Sequence, residues 1–291
     1  MIDAHHHVWR QSDLPWLMGP ERPRIFGPYG PIKRDYPVEE YLDDIAGTGV
    51  EGSVYVQANW APNWFEDEVA WVEAEAARTG WPQAIVGYAD FTVPDVRPAL
   101  ERLAKYPRMR GLRQQLHWHR RPDYRFAARP DLAEDETLRR NVARLADYAW
   151  VFELQVFAPQ MEGAAGLAEA CPEVTFVLSH AGMPEDVSEA GRAAWRAGME
   201  RLAARPNVAT KLSGLGTFVR RNDPDHIAAV VAETVALFGA DRCSFGSNFP
   251  IEKLWTDYAS LLAAYRDATA ALTAPERDAI FETTARRLYR L

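Results

Sequence analysis

One rhythm constrains this chain more than any single residue: a short β-branched or aromatic run, a loop, then an amphipathic helix, repeated along the length. Strands are predicted at Gly52–Gln57, Ala84–Asp90, Met109–Leu116, Trp150–Phe157, Val174–His180, Asn207–Ser213 and Cys243–Asn248, after a first strand at Ile2–Val8. Helices are predicted between them, at Phe65–Arg78, Val96–Tyr106, Glu136–Tyr148, Met161–Ala170, Ala190–Arg205, Pro224–Phe238 and Asp257–Leu272, following an earlier one at Val38–Ile45. Asp223-Pro224 reads as an N-cap with a first-turn proline, and Thr273 with Glu276 as a capping box opening a last helix that runs to Leu291. Eight β/α units in 291 residues, with no linker or repeat, predict a single-domain (β/α)8 TIM barrel over residues 1–291 with an extra C-terminal helix. The competing doubly wound sheet rests only on Gly214-Leu215-Gly216, where Val219 stands at the third glycine position of a nucleotide fingerprint and the pair falls late in the chain.

Between the first strand and its helix lies Arg10–Pro37, rich in proline and glycine and carrying Trp16, Phe26, Tyr29 and Tyr36. That aromatic content predicts a packed, lid-like loop. Apolar residues make up 47% of the chain, ample for a large core. The net charge of −8 repels phosphate backbones and anionic bilayers, so neither nucleic acid nor a membrane is an expected partner. Cys171 and Cys243, far apart and in no metal spacing, suit a reducing compartment, and no leader or spanning segment is evident, so a cytoplasmic protein is expected. A symmetric dimer is the default expectation for a soluble oligomer.

In such a barrel the chemistry sits where strands end. The N-terminal Asp3-Ala4-His5-His6-His7 would put His5 and His7 on one face of the first strand with Asp3, and His6 on the other. A tag remnant, core histidines or a solvated edge are the alternatives, and the run continuing into Val8-Trp9 argues against a tag. Other strand ends offer Gln57 and Asn59, Asp90, then Arg113, Gln115, His117 and His119, then Glu153 and Gln155, His180, Lys211 with Ser213, and Asn248. Arg113 is a natural clamp for an anionic group, and equally an ion-pair partner for Glu153 or Asp90. His117 and His119 lie beyond their strand, where lid or substrate contact is expected. Lys211 reads as a charge neutraliser or a snorkelling side chain. Trp9, Trp60, Trp64, Trp118 and Trp255 each follow a strand and would ring the mouth with aromatic faces suited to sugars, lactones or aromatic acids, or simply cover the rim.

These residues together resemble the amidohydrolase superfamily: Asp3-Ala4-His5-His6-His7, Gly111-Leu112-Arg113, Ser179-His180-Ala181-Gly182, Lys211-Leu212-Ser213-Gly214-Leu215 and Phe245-Gly246-Ser247-Asn248-Phe249-Pro250, in order along the whole chain. The likeness is greatest to the amidohydrolase-related branch containing sugar lactonases and 2-pyrone-4,6-dicarboxylate lactonase. What the resemblance implies is addition of water to a carbonyl. It assigns His5, His7 and His180 to a divalent metal, zinc being the natural choice for imidazoles, or directly to the substrate carbonyl, since some members work without metal. The departure is Asn248, which stands where the family has an aspartate base; an amide cannot take that proton. Glu153 is the first substitute and His180 the second, while Glu252 is expected on an outer loop paired with Lys253. The expected activity is hydrolysis of a small lactone or cyclic ester, sugar-like or carboxylated, with Arg113, Gln57, Gln155, His117, His119, Lys211, Trp9 and Trp118 contacting it. A metal-dependent decarboxylase and a non-catalytic small-acid or sugar binder are the alternatives.

Overall fold

The computed structural model describes residues 1–291. Its strands are β1 (Ile2–His6), β2 (Gly52–Val56), β3 (Ala84–Gly87), β4 (Met109–Arg113), β5 (Val151–Leu154), β6 (Phe176–Leu178), β7 (Val208–Leu212) and β8 (Cys243–Phe245). They are parallel and ordered as in the sequence. The ring closes just beyond β8, where Asn248 N–H donates to the His5 carbonyl (2.7 Å) and His7 N–H to the Phe249 carbonyl (2.8 Å). This is the TIM barrel that the alternation predicted, with helices outside.

Both faces of every strand are buried, which is why the strands read as near-continuous apolar runs. Residues of alternate parity fill the interior: Ile2, Ala4, Val54, Val56, Ala84 and Val86 are among them. The helix Thr284–Tyr289 closes that interior from below with Ala285, Leu288 and Tyr289. The other parity packs outward against the helices in one large apolar cluster. Asp135, Ser188, Asp223 and Asp257 each cap a helix through a side-chain oxygen, and Thr273 and Glu276 form the expected capping box. Each such cap stabilises its helix by about 1 kcal/mol.

Three departures from the expected elements bear on the site. The strands stop one to three residues early, because their last residues curl into the βα loops. The sixth departs most: after Leu178 the chain enters a tight turn in which His180 and Ala181 have φ of 57° and 46°. In the first strand, Asp3 pairs with Ser53 but His6 with Tyr55, so one extra residue is inserted. That bulge reverses the parity: Ala4 and His5 both face inward, and Asp3 does not share a face with His5 and His7. It points out to the helices, accepting from Tyr41 and Tyr258 hydroxyls at 3.0 Å each and from Ser247 N–H and Oγ at 2.8 and 2.6 Å. His6 looks away as expected, stacked on Tyr41 with centroids 3.9 Å apart.

The segment Arg10–Pro37 is a packed lid. Trp9 and Tyr36 pair as an antiparallel bridge at its base, and Trp16, Phe26 and Tyr29 meet edge to face above the barrel mouth.

Candidate active site

The polar interior is built in two layers. In the lower one, Glu153 of β5 and Lys211 of β7 form an ion pair with no exposed surface. The Tyr289 hydroxyl donates to the same carboxylate oxygen at 2.7 Å. His5 Nδ1 lies 3.4 Å from Lys211 Nζ and 3.9 Å from the second Glu153 oxygen. Burial lowers the Lys211 ammonium to a pKa of about 8 against the opposing pull of Glu153. Glu153 therefore lies beneath the cavity floor and does not line it. The structure does not put it at the cavity wall, where a base in contact with substrate was expected: one oxygen is committed twice, and the other is buried without a hydrogen-bond partner, 3.9 Å from His5 Nδ1.

Two residues further along each strand, the upper layer lines a cavity of about 610 Å3. His7, Arg113, Gln115, Gln155, His180 and Asn248 face it, beneath Trp9, Trp16, Arg24 and Phe26. His5 and His180 have ring centroids 4.7 Å apart, and His5 and His7 5.1 Å, so the first- and sixth-strand histidines do meet. His7 Nδ1 sits 2.6 Å from the Val56 carbonyl, which can only accept, so the proton is on Nδ1 and the Nε2 lone pair faces Asn248. His180 Nδ1 sits 2.9 Å from Ser213 Oγ. Gly214, at φ +61°, is required beside it, because a Cβ there would lie 2.6 Å from the same nitrogen. The Ser213-Gly214 pair is thus a seat for one imidazole.

Burial, reinforced by Arg113 and Lys211, holds His7 near a pKa of about 3 and His180 well below the usual imidazole range. Both are neutral acceptors at pH 7. Arg113, lowered to about 10 by burial, donates to the Gln57 carbonyl at 2.5 Å and leaves Nε without a partner. It forms no ion pair with Glu153 or Asp90; Asp90 instead takes Thr92 and Gln114. No carboxylate lines this cavity.

Other expected residues lie apart from it. Gln57 opens onto an adjoining chamber. His117 is buried against Phe126 and Phe157, and His119 packs on Tyr124 and Phe157, so both build the loop after β4 and not the main cavity. Trp118 is covered by Arg125, whose guanidinium lies 4.9 Å from its ring. Of the tryptophans expected at the mouth, Trp9 lines the main cavity and Trp60 the adjoining one, while Trp64 is largely exposed. Glu252 does not pair with Lys253, which binds Glu40 and Asp44. Glu252 is fully buried behind Asn248, takes the Trp255 indole N–H at 2.8 Å, and is pushed up to about 8 by burial. Arg24, Met183, Thr217 and Phe218 line the cavity from loops that carry no strand-end signal. Only the arginine inside an aromatic lid could have drawn attention.

A divalent metal would have to use His5, His7 and His180. These imidazoles are neutral, and His5 Nε2 is buried without a partner, which suits a ligand. The remaining chemistry does not. The eighth-strand group is the amide of Asn248, an ammonium lies 3.4 Å from His5, and no three His, Cys, Asp or Glu side chains are arranged to hold an ion. The one nearby carboxylate, Glu153, already holds Lys211 and stands 3.9 Å from His5 Nδ1, so three imidazoles and an amide do not by themselves make a complete metal site.

Comparison with known proteins agrees with the architecture. The chain is 33% identical over 293 residues to an uncharacterized protein of Sinorhizobium fredii, covering all of this chain and 98% of that one. It is 31% identical over 307 residues to the L-fucono-1,5-lactonase of Burkholderia multivorans, covering 100% and 96%. The crystal structure of an amidohydrolase from Burkholderia multivorans with bound zinc superposes with a TM-score of 0.83 at 29% identity, over 100% of this chain and 99% of that chain. The amidohydrolase family profile matches residues 2–291, and with a closed barrel bringing first-, sixth- and eighth-strand motifs to one cavity, the chain belongs to the amidohydrolase family.

Proposed function

We propose that this protein hydrolyses a small lactone, with His180 as the general base. The observation that carries the reading is the lining of the cavity: two neutral imidazoles, four amides and two guanidinium groups, with no carboxylate. A base in contact with the substrate must then be an imidazole. His7 offers its lone pair towards Asn248, which leaves His180 Nε2, at the more exposed ring, as the free acceptor for a water proton. The Ser213 hydroxyl orients that ring through Nδ1.

The carbonyl oxygen gathers negative charge as water adds, and Arg113 with the Asn248 amide are the donors available to it. When the tetrahedral adduct collapses, the ring C–O bond breaks and the departing alkoxide needs a proton. The His180 imidazolium, destabilised by Arg113 and Lys211, is a strong acid and returns it. One residue thus takes and gives back the proton without a second carboxylate. The kinship with a lactonase at 31% identity supports the reaction class, and the ring of a sugar-acid lactone fits the wall of amides and indoles. In this reading zinc, where a related protein carries it, is not assigned a step.

The test is acid release from sugar-acid 1,5-lactones above the spontaneous rate. We expect turnover by the natural chain and a fall of roughly 10²–10⁴ in kcat/KM for His180→Ala at unchanged melting temperature. Full turnover by His180→Ala, or no lactone accelerated by the natural chain, overturns the assignment.

A further inference from the structure

Beside the main cavity a second chamber of about 790 Å3 opens outward, sharing Trp16, Arg24 and Asn59 with it. Its walls are apolar and largely aromatic: Trp60, Phe65, Tyr88 and Phe126 surround it. The common wall is fixed. Trp16 donates its indole N–H to the Ala58 carbonyl at 2.9 Å, and Asn59, at φ 64°, donates its N–H to Gln57 Oε1 at 2.7 Å.

At the junction stands Arg24. Its guanidinium lies 4.6 Å from the Trp16 ring and 5.9 Å from the Tyr29 ring. Several arginines of the lid and the rim have carboxylate partners, as in Arg10–Asp13, Arg34–Glu40 and Arg121–Asp123. Arg24 has none within ion-pairing distance, and its Nε is buried without an acceptor. A chain with 41 acidic residues against 33 basic ones leaves this cation unmatched at the point where the two chambers meet. A partly dehydrated guanidinium held over an indole is placed for bidentate carboxylate binding. The inner end of the chamber carries the opposite preference: Glu68 is buried there, with one oxygen taking the Tyr55 hydroxyl and the Ala58 N–H. Burial raises the Glu68 carboxyl to about 7, and that end offers an anion no cation, whereas the junction offers Arg24.

We infer that the side chamber is a binding subsite for an aromatic carboxylate unit, its ring among Trp60, Phe65, Tyr88 and Phe126 and its carboxylate on Arg24. The inference rests on the lactonase reading only in its consequence, which is that the substrate is larger than a simple sugar lactone. It carries an arylcarboxylate arm.

Binding of phenylacetate, phenylacetamide and acetate to the full chain, followed by tryptophan fluorescence and calorimetry, tests the subsite without reference to turnover. Phenylacetate is expected to bind tighter than acetate and to weaken with added salt. Arg24→Gln should weaken phenylacetate about tenfold or more while leaving phenylacetamide unchanged. Phe126→Ser, at an exposed position that the core does not need, should weaken both aromatic probes. Acetate binding as tightly as phenylacetate, or Arg24→Gln without effect, overturns the inference. Phenylacetate binding with no lactone turned over leaves it standing and removes the lactonase reading. Turnover of a plain sugar lactone without phenylacetate binding does the reverse.

Discussion

The two polar layers of this barrel are built from the same kinds of residue on the same strands. Glu153 and Gln155, Lys211 and Ser213, and His5 and His7 are each two positions apart. Below, charge meets charge in a space with no exposure, and the aromatic plug of Tyr289 seals it. Above, Arg113 keeps an unsatisfied donor and His180 opens to a cavity. A single pleat separates side chains with no exposed surface, among them the unpartnered His5 Nε2 and Glu153 Oε2, from side chains that line a cavity. Titratable side chains near a barrel's upper end are therefore not interchangeable candidates for catalysis.

Acid attacks both layers and should have the largest effect. Burial holds His5, His6, His7, His117 and His180 below their unfolded value of 6.5. Above that pH neither state is charged at these rings. Below it the unfolded chain takes up protons that the folded chain refuses, so stability is lost as pH falls, each ring contributing up to about 1.4 kcal/mol per pH unit. Glu252 and Glu68, raised to about 8 and about 7 by burial, take up protons in the folded chain over the same range and offset part of this, so the urea midpoint should fall between pH 7.5 and 5.5 by less than the sum of the five histidines. A midpoint that rises on acidification means that the buried carboxyls outweigh the histidines.

Lys211→Met breaks the lower layer alone. It strands the Glu153 carboxylate, at a cost of about 3–5 kcal/mol, read by urea unfolding at pH 7. Adding Glu153→Leu should recover most of that loss. A single variant as stable as the natural chain dissolves the distinction between the layers.

Asn248→Asp acts on the upper layer alone. With His180 as base, kcat/KM should move by no more than about tenfold, against the roughly 10²–10⁴ that a general base contributes. A gain of that larger size places the base at position 248 and makes the natural chain a binder. The smallest effect is expected from chelation: dialysis against a strong chelator should leave lactone turnover within about twofold, because the cations beside His5 compete with any bound dication. A loss that zinc restores assigns His5, His7 and His180 to the metal.

The fold was legible because strand ends, caps and apolar runs are local signals. Asp223, Thr273 and Glu276 cap their helices where the sequence places them. The histidine cluster was legible too, since the motifs fall on strands one, six and eight of a ring. What escaped is non-local. No pattern in Asp3-Ala4-His5 announces a bulge, which is set by pairing with β2 and by the donors around Asp3. The depth of Glu153 depends on Tyr289, contributed from 136 residues away. Glu252 beside Lys253 looks like a surface pair until the turn after β8 drives one inward and leaves the other for Glu40 and Asp44. Arg24 lies in a loop whose contacts only the folded lid defines.

The Asp3 carboxylate has a consequence for how the molecule comes into being. It is gripped by Ser247 and Tyr258, residues some 250 positions downstream, as well as by Tyr41. Until those donors leave the ribosome, the nascent N-terminal segment has nothing to fix the inserted residue that turns His5 inward. The histidine-bearing segment at the start of the chain is framed last, so prematurely terminated polypeptides lacking the eighth strand carry its histidines without the frame that turns His5 inward.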